Sequence, residues 1–174
     1  TQEFATPGYY SVYLTDTKVK AELTASAHVA FHRYTYDSTD STSVLIDLQH
    51  GPAWNYKQYH SQVNRCETHW EDAHTLVGHV QNTVWVKQDY FFIIKFNRPV
   101  ASHITLNKAA DTEKGDRIVA TFDGIEQGEQ LLMKIAMSTT SVDGAKKNLY
   151  TEVPYWDFAA VKQSANNEWN KYLK

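Results

Sequence analysis

Apolar and polar residues alternate strictly from Lys18 to Ala25. Val19, Ala21, Leu23 and Ala25 fall on one side, and Lys18, Lys20, Glu22 and Thr24 on the other. A period of two predicts a strand with one buried and one wet face. From Val29 to Tyr36 both sides are bulky, with Val29, Phe31 and Arg33 against His32, Tyr34 and Tyr36. A strand with no wet side lies between two layers or under another domain. The break at Ala25-Ser26-Ala27 lets the two strands close as a hairpin, although it offers no Asn-Gly turn.

The same pattern continues along the chain. A Pro7-Gly8 turn precedes a strand with Tyr10, Val12 and Leu14 on one face. Further strands are predicted at Ser43 to Gln49, Leu76 to Trp85, Asp89 to Asn97, Ile104 to Leu106, Arg117 to Phe122 and Gln130 to Met137. Ser61 to Trp70 alternates weakly and reads as an edge or outer strand, whereas YFFIIKF (Tyr90 to Phe96) is apolar on both faces and reads as central. After Met137 the period changes. Ser141 is placed to cap a short helical turn through Leu149, and Asp157 to cap a second helix with Phe158, Val161, Ala165, Trp169 and Tyr172 at helical spacing. These elements predict an all-β fold, an antiparallel β-sandwich over residues 1–140, with a helical extension over residues 141–174.

Composition narrows the class. A chain of 174 residues suits one domain with a sizeable core, and a formal net charge of -3 points away from nucleic acid. Aromatic residues make up 13%, which suits both aromatic-rich strands and a carbohydrate-handling surface. The single Cys66 excludes an internal disulfide, so stability comes from side-chain contacts. No apolar run reaches membrane-spanning length, so no membrane insertion is expected. The chain begins at Thr1 without Met and stops at Lys174 within a helical pattern, which predicts a segment of a longer polypeptide.

The candidate chemistry is sparse. Five of the eight histidines (His50, His60, His69, His74, His79) and Cys66 lie close together in sequence, yet their spacings fit no compact metal motif. Glu71 and Asp72 are neighbours and on a strand point to opposite faces, so they do not form the acid and base of a glycosidase. There is no GxSxG and no phosphate loop. The loop Trp54-Asn55-Tyr56-Lys57-Gln58-Tyr59 is the better candidate. Flat rings stack on the apolar face of a sugar while amides and an amine bond its hydroxyls, so Trp54, Tyr56 and Tyr59 are the candidate substrate-binding residues.

Several blocks in order, PGYYSVYL, KVKAELTASAHVAFHRYTY, VLIDLQHG, WVKQDYFFIIKFNRPV and the stretch from LLMKIAMSTTSVDG to NEWNKYL, carry a resemblance over nearly the whole chain. Together they resemble the N-terminal domain of the bacterial α-mannosidases of glycoside hydrolase family 92. The resemblance implies a secreted, periplasmic or cell-surface enzyme that is exo-acting, calcium-dependent and inverting, and that removes α-mannose from N-glycans or mannans. It also implies that this β-sandwich packs on a C-terminal catalytic (α/α)6 barrel and walls the active site between them. The general acid, the base carboxylates and the calcium ligands are expected mainly from that barrel, so no catalytic or metal residue is carried over to this chain. His28 departs from the longer polar residue expected in its block, and Trp54 to Trp70 matches no part of the pattern. Two further readings compete: a stand-alone carbohydrate-binding sandwich using Trp54, Tyr56, Tyr59 or Trp70, and a purely structural domain.

Overall fold

The protein is described by a computed structural model over residues 2–38, 42–49, 62–83, 86–106 and 115–173. Its strands are β1 (Glu3–Thr6), β2 (Tyr9–Leu14), β3 (Val19–Ala25), β4 (Val29–Tyr36), β5 (Ser43–Asp47), β6 (Gln62–Asp72), β7 (Thr75–Thr83), β8 (Lys87–Phe96), β9 (Ser102–Leu106), β10 (Arg117–Thr121) and β11 (Gln130–Ser138). Two helices follow, α1 (Val142–Glu152) and α2 (Phe158–Tyr172). The strands form an eight-stranded antiparallel sheet, β1-β2-β3-β4-β11-β8-β7-β6, and a three-stranded sheet, β5-β10-β9. The predicted all-β sandwich with helices after it is the fold observed.

Alternation along each strand of the large sheet builds two cores. On one face Leu76, Phe92, Ile94, Phe96, Leu131 and Met133 meet Ile46, Ile118 and Ala120 of the small sheet. On the other, Val29, Phe31, Val77, Ile93 and Ala136 meet Ala145, Leu149, Val153 and Phe158 of the helical layer. That explains why β4 and β8 are bulky on both sides: each lies between the small sheet and the chain's own helices. β6 is an edge strand, as its weak alternation predicts. β11, by contrast, comes last in the chain and sits between β4 and β8.

Two expectations need correction. The polar side of β3 is wet only at Lys20, because Glu22 and Thr24 are buried under α2. Burial is tolerated because each has a partner. Glu22 takes two bonds from Arg33 at 2.8 and 2.9 Å and one from Tyr9 at 2.7 Å, and Thr24 donates to the Gly8 carbonyl at 2.7 Å. The first helix is also longer than predicted, running to Glu152 and stopping before Pro154.

Both predicted caps form. Ser141 accepts from Gly144 N–H and Asp157 from Ala160 N–H, each at 2.9 Å. Gly8 turns β1 into β2 with φ +82°, and a Cβ there would meet the Ala165 Cβ at 3.0 Å, so α2 lies directly on this turn. Among the described residues no helix is long and apolar enough to cross a membrane.

Candidate functional site

Trp54, Tyr56 and Tyr59 lie outside the described residues, as do His50 and His60. The other sequence candidates are dispersed. Trp70 stacks on His103 with ring centroids 4.8 Å apart and packs against the sandwich core, so its face is occupied by protein. The His74 ring lies 3.1 Å from the Phe96 carbonyl. His79 stacks on Phe91, with its Nε2 2.6 Å from Asp89. His69 is exposed on β6. The Cys66 sulfur accepts from the Asp116 N–H at 3.4 Å. Among the described residues no group of three or more His, Cys, Asp or Glu is placed to hold a metal ion.

The carboxylates carry structural roles. Glu71 accepts from Lys146 of α1 at 2.5 Å, while Asp72, past a break in the β6–β7 register, accepts from the His74 N–H at 2.6 Å. Burial raises the Glu22 carboxyl, but bonds from Arg33 and Tyr9 and the Arg33 and Lys20 charges outweigh it and bring it to about 2. The His74 N–H lowers Asp72, Gln81 and then His79 lower Asp89, and the Glu126 N–H lowers Glu129. At Glu152 burial is likewise outweighed by bonds from Ser26 and His28. A general acid needs its proton held upward towards neutrality. These five carboxyls are held as anions instead. Burial also drives His32 down to about 4, leaving it neutral near pH 7.

A groove of about 690 Å³ lies between the β3–β4 turn, the α1–α2 linker and α2. Its floor is fixed from below. Lys134 of β11 is 3% exposed and donates to the Val153 carbonyl at 2.8 Å. Its ammonium sits 4.1 Å from the Trp156 ring centroid and 5.4 Å from that of Phe31, which replaces a missing anion with ring faces. Burial, with Lys95 nearby, brings Lys134 down to about 8. Arg33 lies 4.4 Å from the Phe158 ring and Lys162 3.4 Å from the Tyr9 ring, tying the start of α2 to the sheet. At the rim, Glu152 accepts from Ser26 Oγ at 2.6 Å and the His28 N–H at 3.0 Å, with His28 Nδ1 2.6 Å from its second oxygen. The unexpected His28 therefore holds the hairpin turn to the end of α1.

The groove's three carboxylates are already engaged: Glu152 as above, Asp157 in the α2 cap, and Glu168 with Lys171. Its open surface is aromatic, carried by Tyr155, Trp169 and Tyr172. Such a surface binds by shape and apolar contact and offers no acid–base pair. Sequence spacing missed it because its parts come from residues 25–27, 152–157 and 160–172. The one legible sign was Lys134, a lone charge in the apolar run LLMKIAM.

No curated protein sequence matches the chain. Solved structures do. The family GH92 α-mannosidase BT3965 from Bacteroides thetaiotaomicron superposes with a TM-score of 0.83 at 23% identity, over 97% of this chain and 24% of that one. The inverting mannosidase BT2199 from Bacteroides thetaiotaomicron VPI-5482 gives 0.77 at 22% identity, over 99% and 23%. The gh92 family glycosyl hydrolase ccman5 gives 0.75 at 23% identity, over 97% and 24%. The chain thus spans about a quarter of the length of these relatives, and the likeness is one of fold. The sequence profile described as the glycosyl hydrolase family 92 N-terminal domain matches residues 1–138, and the chain therefore belongs to that family through this domain.

Proposed function

We propose that the chain is the non-catalytic N-terminal part of an inverting, calcium-dependent exo-α-mannosidase of a bacterial surface, periplasm or medium, acting on N-glycans or mannans. The observation that carries this is the family match over residues 1–138 in a chain spanning about a quarter of its solved relatives. None of the five down-shifted carboxyls is held in the protonated form a general acid needs. In the whole enzyme an acid protonates the leaving oxygen while a base-activated water attacks from the opposite face of the sugar. Both groups, in this reading, come from a catalytic barrel to which residues 141–174 lead, and the sandwich walls the pocket. Calcium takes about six to eight oxygen ligands. The described residues offer no such cluster, so no step is assigned to calcium here.

Hydrolysis of α-mannobiose by the longer polypeptide, with and without a chelator, tests the proposal beside the 174-residue chain. Chelator-sensitive release of mannose by the long form only is the expected result. Silence from both forms, with mannoside binding by the short one, would replace it with the carbohydrate-binding module.

A further inference from the structure

The chain holds two Asp-Gly pairs, Asp123-Gly124 and Asp143-Gly144, and the fold treats them oppositely. Asp143-Gly144 lies in the first turn of α1. The Gly144 N–H donates to Ser141 Oγ at 2.9 Å, and a Cβ on Gly144 would meet Ser138 Oγ at 2.6 Å, so this peptide is bonded and enclosed. Asp123-Gly124 lies between β10 and β11, and both residues are exposed. Gly124 has φ +64° and open space where a side chain would be. Among the described residues its N–H has no acceptor and the Asp123 carboxylate has no partner.

An aspartyl side chain followed by glycine can close on the main chain, because no Cβ obstructs the glycine nitrogen. The nitrogen bonds to the side-chain carboxyl carbon, and its hydrogen leaves with the carboxyl hydroxyl as water, giving a five-membered succinimide. Water then reopens the ring at the main-chain carbonyl, and the link afterwards runs through the side chain. One water is lost and one regained, so the mass is unchanged and nothing is oxidised or reduced. The reaction needs a free carboxyl, an unbonded nitrogen and room for the link to rotate. Asp123-Gly124 offers all three, and Asp143-Gly144 lacks the last two.

We infer that Asp123 is a site of spontaneous isoaspartyl modification in this protein, and that the capped start of α1 spares Asp143. The change adds one main-chain carbon, about 1.5 Å of chain, between Phe122 and Ile125, which are both buried in the sandwich core. It falls on the connection from the small sheet to the large one, beside the bond that Arg98 donates to the Gly124 carbonyl at 3.2 Å.

The test is ageing of the long polypeptide in neutral buffer, native and in urea, followed by trypsin and then isoaspartyl methyltransferase with a labelled methyl donor. Cleavage after Arg117, Lys134 and Lys146 puts the two pairs on separate peptides, residues 118–134 and 135–146. From the native protein the first should take up label about tenfold faster than the second, since Gly144 must leave its capped turn to react. In urea the two rates should converge. Equal rates in the native protein, or label confined to 135–146, would overturn the inference. So would label on 118–134 that persists in Asp123→Glu, whose longer side chain cannot close the five-membered ring. A 118–134 peptide left unlabelled in the native sample would overturn it as well, whatever the urea sample shows.

Discussion

The two faces of the large sheet are held by different chemistry. Towards the small sheet the contacts are almost wholly apolar, built on Phe96, Phe122, Leu131 and Ile118. Towards the helices the sheet offers Glu22, Arg33 and Lys134 among rings, and each charge is satisfied by a bond or a ring face. The first face draws chiefly on area removed from water, and its proton-sensitive member is His32, driven down to about 4 by burial. The second couples the attachment of the helices to ionisation. One sheet thus carries a seam dominated by apolar area and a seam built on engaged charges, and the groove belongs to the latter.

The largest effect should come from the apolar seam. Phe96→Ala removes a ring packed 5.0 Å from Phe122 and should cost about 4 kcal/mol in urea unfolding. The loss should be the same at pH 3 and pH 7, and a pH-dependent loss would break the contrast. Next comes Glu22. Its folded pKa lies below the unfolded value, so its contribution is complete above pH 4.5 and fades as pH falls through about 2. The shift corresponds to roughly 3 kcal/mol of stability, and Glu22→Gln should flatten that part of the acid profile. An acid limb unchanged in the variant would assign it to other groups.

Lys134 works in the opposite window. Its folded pKa of about 8 lies below the ordinary 10.5, so the unfolded chain binds more protons between them and stability should rise with pH there. The rise should be roughly 3 kcal/mol, at about 1.4 kcal/mol for each pH unit between those two values. Lys134→Met should abolish it without loss at pH 7, and a Met variant destabilised at pH 7 would show the charge to be a net stabiliser. The smallest effect is Ser141→Ala, about 1 kcal/mol from the α1 cap at any pH. A loss several times larger would mean that α1 helps to hold the sheet together.

The strands and both helix caps were legible because period and capping chemistry are local. What failed was non-local. The pattern at Glu22 and Thr24 reports polarity, and polarity equals exposure only when no partner arrives; here Arg33 arrives from β4 and α2 closes over both, whereas Lys20 on the same side stays exposed. β1 went unread because its four residues are all exposed and pair with β2 alone, leaving no buried period to detect. The second helix's spacing was correct, but spacing does not say how far the sheet extends beneath it, and Trp169 and Tyr172 lie beyond Ala165, its last buried residue. The groove draws on segments more than a hundred residues apart, so no window contains it. Trp54, Tyr56 and Tyr59, the sugar-contact candidates, fall outside the described residues.

The placement of β11 has a consequence for the order of events during synthesis. The ribosome releases β1 to β4 and β6 to β8 first, and each group can zip into an antiparallel ribbon. Their common border is β11, where Met133 faces His32 on one side and Phe96 on the other. Until residues 130–138 emerge, both ribbons present an unpaired central edge of backbone donors and acceptors. The nascent chain therefore carries one sticky border once β4 has emerged and a second once β8 has, and a single nine-residue strand seals both.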